Sequence, residues 1–236
     1  MKKVILSVFA VPFILAPAAI LAQSGMKPTA ATYITDEEVK AVNALPGVDR
    51  TIRVVDIGPE NFAVGIIHRG ATGGAARGAA AGAAAAGAGR AAGAGAGAGG
   101  GAGAGRGAAA AAEPCGEAST APTTGGTPGM IAHDQQTEGY LIVSGGGTLV
   151  TGGKIVNGRK SGPDNEVTTT LNGPSCSGTA VGADIVKKVV KTGDIIIIPA
   201  QVPHGWTDIG DHVDYLSFRP SARVLEAGYV NPALKK

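Results

Sequence analysis

Two histidines and one glutamate carry the chemistry this sequence suggests. His133 and Glu138 are separated by four residues, and His204 stands far downstream in Gly193-Asp-Ile-Ile-Ile-Ile-Pro-Ala-Gln-Val-Pro-His204-Gly-Trp206. Two imidazoles and a carboxylate are a ligand set for Fe, Mn, Ni, Cu or Zn that leaves coordination positions open for water or a substrate. Tyr140, two residues after Glu138, adds a hydroxyl that could orient a ligand or donate a proton. Simple core packing explains Tyr140 equally well, and two hydrogen-bonded structural histidines are the alternative for His133 and His204. The carboxylate at matching spacing favours the metal.

Those side chains meet only if strands aim them. Alternate residues of a strand share a face, so Ile131 and His133 point one way, and Glu138, Tyr140 and Ile142 share a face on the returning strand. Ile195 to Ile198, opened by Gly193-Asp194 and closed by Pro199, reads as a short strand, and its apolar character on both faces predicts cover on both sides. Pro199 and Pro203 stop that strand and turn the chain, setting His204 just past a rigid corner.

The remaining sequence predicts an all-β fold. Thr35-Asp-Glu-Glu38 is a capping box that opens one short helix, ended by Pro46-Gly47. Short strands are expected at 51–57, 62–68, 130–133, 139–144, 147–151, 166–171, 179–181, 185–190, 194–198 and 213–218, with Gly, Asn or Pro turns between them. Such a series indicates a small antiparallel barrel or sandwich.

At this point the chain resembles the cupin superfamily. Gly193 to His204 is similar to that family's second motif, Gly-x5-Pro-x-Gly-x2-His, with Gln201 at the second glycine. His133-x4-Glu138-x6-Gly145 is similar to the later part of its first motif, whose opening histidine is Ile131 here. The resemblance covers roughly residues 62–218. It implies a double-stranded β-helix, a jelly-roll-like barrel, with metal ligands at His133, Glu138 and His204. Gln135 or His68 are the candidates to replace the missing histidine. Cupins host many chemistries, so the resemblance implies no single reaction.

Outside that region, Met1-Lys2-Lys3 followed by the apolar run 4–21 and Ala22 reads as a secretory signal peptide over 1–22. Pro12, Pro17 and the alanine-rich end favour cleavage over a retained anchor. The product is exported, periplasmic or secreted, with no stable membrane span after cleavage. Residues 23–69 hold the helix and first strands, and 70–112 form a Gly/Ala tract with too little bulk for a core, read as a flexible insertion. A loop follows over 113–129, and 130–236 carry the barrel core and tail. Without the signal and the tract, about 170 residues remain, enough for one domain.

A net charge of +2 gives no reason to expect nucleic acid as a partner. Cys115 and Cys176 can form a disulfide in an exported chain, but spacing alone does not pair them. No nucleophile-elbow motif or catalytic Cys/His spacing appears, so covalent hydrolysis has no support. Residues 153–161 fall short of a phosphate-binding loop, with Arg159 at the lysine position. Arg219, after the last strand, could bind a carboxylate but reads better as a surface residue; Trp206 could form an aromatic wall but reads better as core or rim packing, and His212 reads as a turn histidine. The expected protein binds a small organic molecule at a divalent metal, as a metal-dependent oxygenase, isomerase or lyase if it is an enzyme. The alternative is a metal-free small-ligand module, for example for a sugar. A homodimer is expected.

Overall fold

The computed structural model describes residues 27–72 and 112–235. The signal-peptide reading, and the Gly/Ala tract apart from its ends, lie outside the described residues. The expected helix forms as α1, Asp36–Asn43. Thr35 Oγ1 accepts from Glu38 N at 3.3 Å while the Glu38 carboxylate accepts from Thr35 N at 3.1 Å, which closes the capping box.

Among the described residues eleven strands follow: β1 (Asp49–Asp56), β2 (Asn61–Gly70), β3 (Pro114–Cys115), β4 (Thr127–His133), β5 (Glu138–Thr151), β6 (Lys154–Lys160), β7 (Ser175–Val181), β8 (Val186–Lys191), β9 (Ile195–Ile198), β10 (His204–Thr207) and β11 (His212–Ser221). All of the strand pairings are antiparallel, and two layers emerge. One layer runs β1-β2-β11-β5-β9. The other runs from β8 through β5, β10, β4, β7 and β6 to β3. The protein is all-β and jelly-roll-like, with a path that stays open between β1 and β3 rather than closing into a hydrogen-bonded ring.

The long strand β5 belongs to both layers. Its first half pairs with β11 and β9, and its second half with β10 and β8. The change of layer falls at Gly145-Gly146-Gly147, where the sequence suggested a break between two strands. Gly145 has φ +66°, and a Cβ there would lie 2.0 Å from the His212 carbonyl oxygen, so only glycine permits this bend against β11. Between the layers, Ile67, Tyr140, Ile142, Leu149, Val190, Ile198, Val213 and Tyr215 form the main core. A second cluster of Val42, Ile52 and Ile66 lies beneath α1 on the outer side of β1 and β2.

Three expectations need correction. The isoleucine strand β9 is covered on one side only: Ile198 is buried, while Ile195 and Ile197 are each 74% exposed. It sits at a sheet edge, and α1 covers other strands. Residues 166–171 do not form a strand but a single π turn over Val167–Leu171. There Asn165 Oδ1 accepts from Val167 N, and the Thr169 and Thr170 hydroxyls donate back to the carbonyls of Asn165 and Glu166. These local bonds compete with a ladder and defeat the β propensity of Val-Thr-Thr-Thr. Residues 154–160, read only as a failed phosphate loop, form β6.

Cys115 and Cys176 are bridged, with Cα atoms 5.9 Å apart, tying β3 to β7 across β6. Such bonds persist in oxidising compartments. Replacing both cysteines by alanine is expected to lower stability by about 4 kcal/mol for a loop of this size. Guanidinium unfolding of the oxidised parent and the double variant measures the difference.

Candidate metal centre

Glu138 and Tyr140 open β5 in one layer, and His133 and His204 end β4 and begin β10 in the other. Both histidines and the glutamate are buried, and their ligand atoms all lie within 4.8 Å of one another. The two imidazole rings are 5.1 Å apart, edge to face. Tyr140 packs against His204 at 6.3 Å and Tyr215 at 4.4 Å, with Trp206 stacked behind Tyr215 at 5.4 Å.

The hydrogen bonds on the far side of each ring fix the chemistry of the near side. His204 Nδ1 lies 3.0 Å from the Val202 carbonyl oxygen, which can only accept, so Nδ1 carries the hydrogen. Ser175 Oγ donates to the Gly173 carbonyl at 2.8 Å and therefore accepts from His133 Nδ1, also at 2.8 Å. In the neutral rings both Nε2 atoms are left with lone pairs. These point at one carboxylate oxygen, Glu138 Oε2, from 3.3 Å for His133 and 3.1 Å for His204. Three lone pairs converge on a dry spot. Tyr140 donates into it, from its hydroxyl to Oε2 at 2.5 Å.

Arg219 holds the other carboxylate oxygen. Its Nε donates to Glu138 Oε1 at 2.8 Å, Nη2 pairs with Asp49 at 2.5 Å, and Nη1 donates to the Leu171 carbonyl at 3.0 Å. Ser217 bridges Arg219 and Oε1. The surface role read for Arg219 is wrong: it is 1% exposed and lies inside the protein. The missed signal was parity, because Val213, Tyr215, Ser217 and Arg219 alternate on one face of β11.

Burial pushes the His133 imidazole pKa down, against the pull of Glu138, so the ring is neutral at pH 7. Burial pushes the Glu138 carboxyl up, but the charges around it, His133 when protonated and Arg219, carry it well below the usual carboxylate range. With His133 neutral, Arg219 is the cation that keeps Glu138 ionised. Burial and the Glu138 charge raise the Tyr140 hydroxyl well above its ordinary value, so it stays a donor. A neutral His133 imidazole and an ionised Glu138 carboxylate are in the states that bind metal.

The two proposed substitutes for the absent histidine do not join the centre. His68 pairs through Nδ1 with Asp214 at 2.6 Å, half-exposed and stacked on His212, and Gln135 is exposed. Ile131 is the Cα partner of His204 and offers no ligand atom. His212, at the start of β11, binds Asp211 and Ser144.

Among the described residues, an open two-layer antiparallel sheet brings together a buried His–Glu–His set. No protein-family model matches the chain, and no curated protein matches it. Among solved structures it is similar to a protein assigned as a mannose-6-phosphate isomerase from Ralstonia eutropha JMP134, at 11% identity and TM-score 0.29, covering 77% of this chain and 94% of that one. It is also similar to an oxalate oxidase, at 12% identity and TM-score 0.31, covering 92% and 69%. A third is peruvianin-I, a cysteine peptidase from Thevetia peruviana latex, at 10% identity and TM-score 0.30, covering 80% and 76%.

Proposed function

We propose that the protein is an exported, cupin-like binder of a small organic molecule at a divalent transition metal held by His133, Glu138 and His204. The observation that carries this is the convergence of two Nε2 atoms on Glu138 Oε2, with both Nδ1 atoms anchored elsewhere. Acceptors facing each other in a buried place repel unless a cation lies among them. A bound Fe, Mn, Ni, Cu or Zn would supply Lewis acidity or a site for dioxygen. Around it, Arg219 keeps Glu138 ionised and reserves Oε1, so Oε2 is the oxygen left to ligate. Tyr140 is the proposed catalytic donor, its proton held at Oε2 and released toward a ligand once that oxygen is engaged. The disulfide supports an oxidising compartment, and no helix among the described residues is long and apolar enough to cross a membrane.

Titration of chelated protein with each of these metals, followed by calorimetry, tests the reading. Ser175→Ala removes the partner that orients His133 and is expected to weaken metal binding by about 10–100-fold. An unchanged affinity would show that His133 does not ligate.

The second reading, a metal-free ligand module, is favoured by Ile131 and by Arg219 already neutralising Glu138. It predicts a parent without measurable metal affinity. Ile131→His, beside His204, would then restore binding where the parent has none.

A further inference from the structure

One row beyond Glu138, the inner face of the β1-β2-β11-β5 layer becomes polar without becoming exposed. Ser221 pairs with Asn61 on β2, and an isolated bridge joins Gln136 to Ser221 on the other side. Cross-strand partners share a face, so Gln136, Ser221 and Asn61 stand in a line. Asp56, partner of Asn61, completes it. Gln136 is 1% exposed, and Ser221 and Asn61 are 3% each.

Both amide atoms of Gln136, the Ser221 hydroxyl and Asn61 Oδ1 have no hydrogen-bond partner among the described residues. Buried polar atoms are nearly always paired, and four on one row are costly to keep unless something pairs with them. Two residues along a strand span about 7 Å, so this row lies within one small molecule's length of Glu138.

We propose that this row is a recognition subsite for a neutral polyhydroxylated ligand whose other end reaches the His133–Glu138–His204 centre. The polarity decides the class. Gln136 Oε1 and Asn61 Oδ1 only accept, Ser221 does both, and Gln136 Nε2 donates; hydroxyl groups satisfy all of them. Among the described residues the arginines beside the row are engaged, and Lys27 acts on Asp56. Arg219 is committed to Glu138 and Asp49, and Arg223 binds Asp56 through Nη1 at 3.1 Å. Asn61 Nδ2 is likewise used, by the Leu225 carbonyl at 2.6 Å. Leu225 packs on Val54 and Ala63, so the segment after β11 covers the row and must lift to admit a ligand.

The inference rests on the small-molecule reading of the centre, and the test separates the two. Calorimetry with D-sorbitol, myo-inositol and D-gluconate is run on the parent and on Gln136→Met and Ser221→Ala, with metal content measured on the same samples. At least one neutral polyol is expected to bind the parent more tightly than gluconate does, and at least tenfold more weakly to Gln136→Met. That variant should melt no lower than the parent, because methionine removes two unpaired buried atoms at similar volume, and its metal content should be unchanged. Polyol binding lost in Gln136→Met from a parent devoid of metal would sustain the subsite and reject the metal centre. Gluconate binding as tight as the polyols, or no binding of either polyol, would overturn the proposal. A Gln136→Met protein that melts several degrees lower and binds polyol as before would also overturn it, making the row structural.

Discussion

Arg219→Met is expected to destabilise the protein by about 3–5 kcal/mol, the range for removing one partner from a buried ion pair. Most domains have about 5–15 kcal/mol in total, so much of the folded margin would go. Methionine fills much of the arginine's volume, and the loss is therefore electrostatic. Glu138 would lose the cation that keeps it ionised and would have to hold an unpaired charge or take up a proton in a dry interior, and Asp49 would lose its ion-pair partner while its Oδ1 has no hydrogen-bond partner among the described residues. Arg219→Lys should recover only part of the loss, because an ammonium cannot serve Glu138, Asp49 and the Leu171 carbonyl as the planar fork does. Adding Glu138→Gln to Arg219→Met should recover stability, since the stranded charge is removed as well. Guanidinium unfolding of the parent, Arg219→Met, Glu138→Gln and the double variant forms a double-mutant cycle. A cycle with no coupling would mean that Arg219 does not hold Glu138.

His204→Ala is expected to weaken metal binding by more than about 100-fold, beyond the 10–100-fold typical of losing an outer partner. Its effect on the metal-free fold should be small, because it removes one of three lone pairs that face each other. The two effects separate in a thermal melt. Metal at one hundred times its dissociation constant stabilises the parent by about 2.7 kcal/mol, and should leave His204→Ala where it was. A variant that still gains stability from metal would place the ligands elsewhere.

The site was legible because strand parity is simple. His133 with Ile131, and Glu138 with Tyr140 and Ile142, could be set on faces from residue spacing alone, and Pro199 and Pro203 fixed the corner before His204. What escaped depended on distant contacts. Whether anything covers Ile195 and Ile197 is decided by where α1 packs, and nothing in the isoleucine run records that. Arg219 looked like a surface charge because its partners Asp49 and Glu138 are 170 and 81 residues away in sequence. The π turn escaped for the opposite reason: its side-chain-to-backbone bonds are local, but Val-Thr-Thr-Thr has the composition of a strand. Gln136, between β4 and β5, has the same parity as Glu138 and continues its face.

The most direct test of the metal centre is elemental analysis of the mature protein, purified from its native compartment without a metal-affinity tag. The account predicts close to one Fe, Mn, Ni, Cu or Zn per chain, lost in both His133→Ala and His204→Ala. A folded parent with no metal, or a metal retained in both variants, would contradict it.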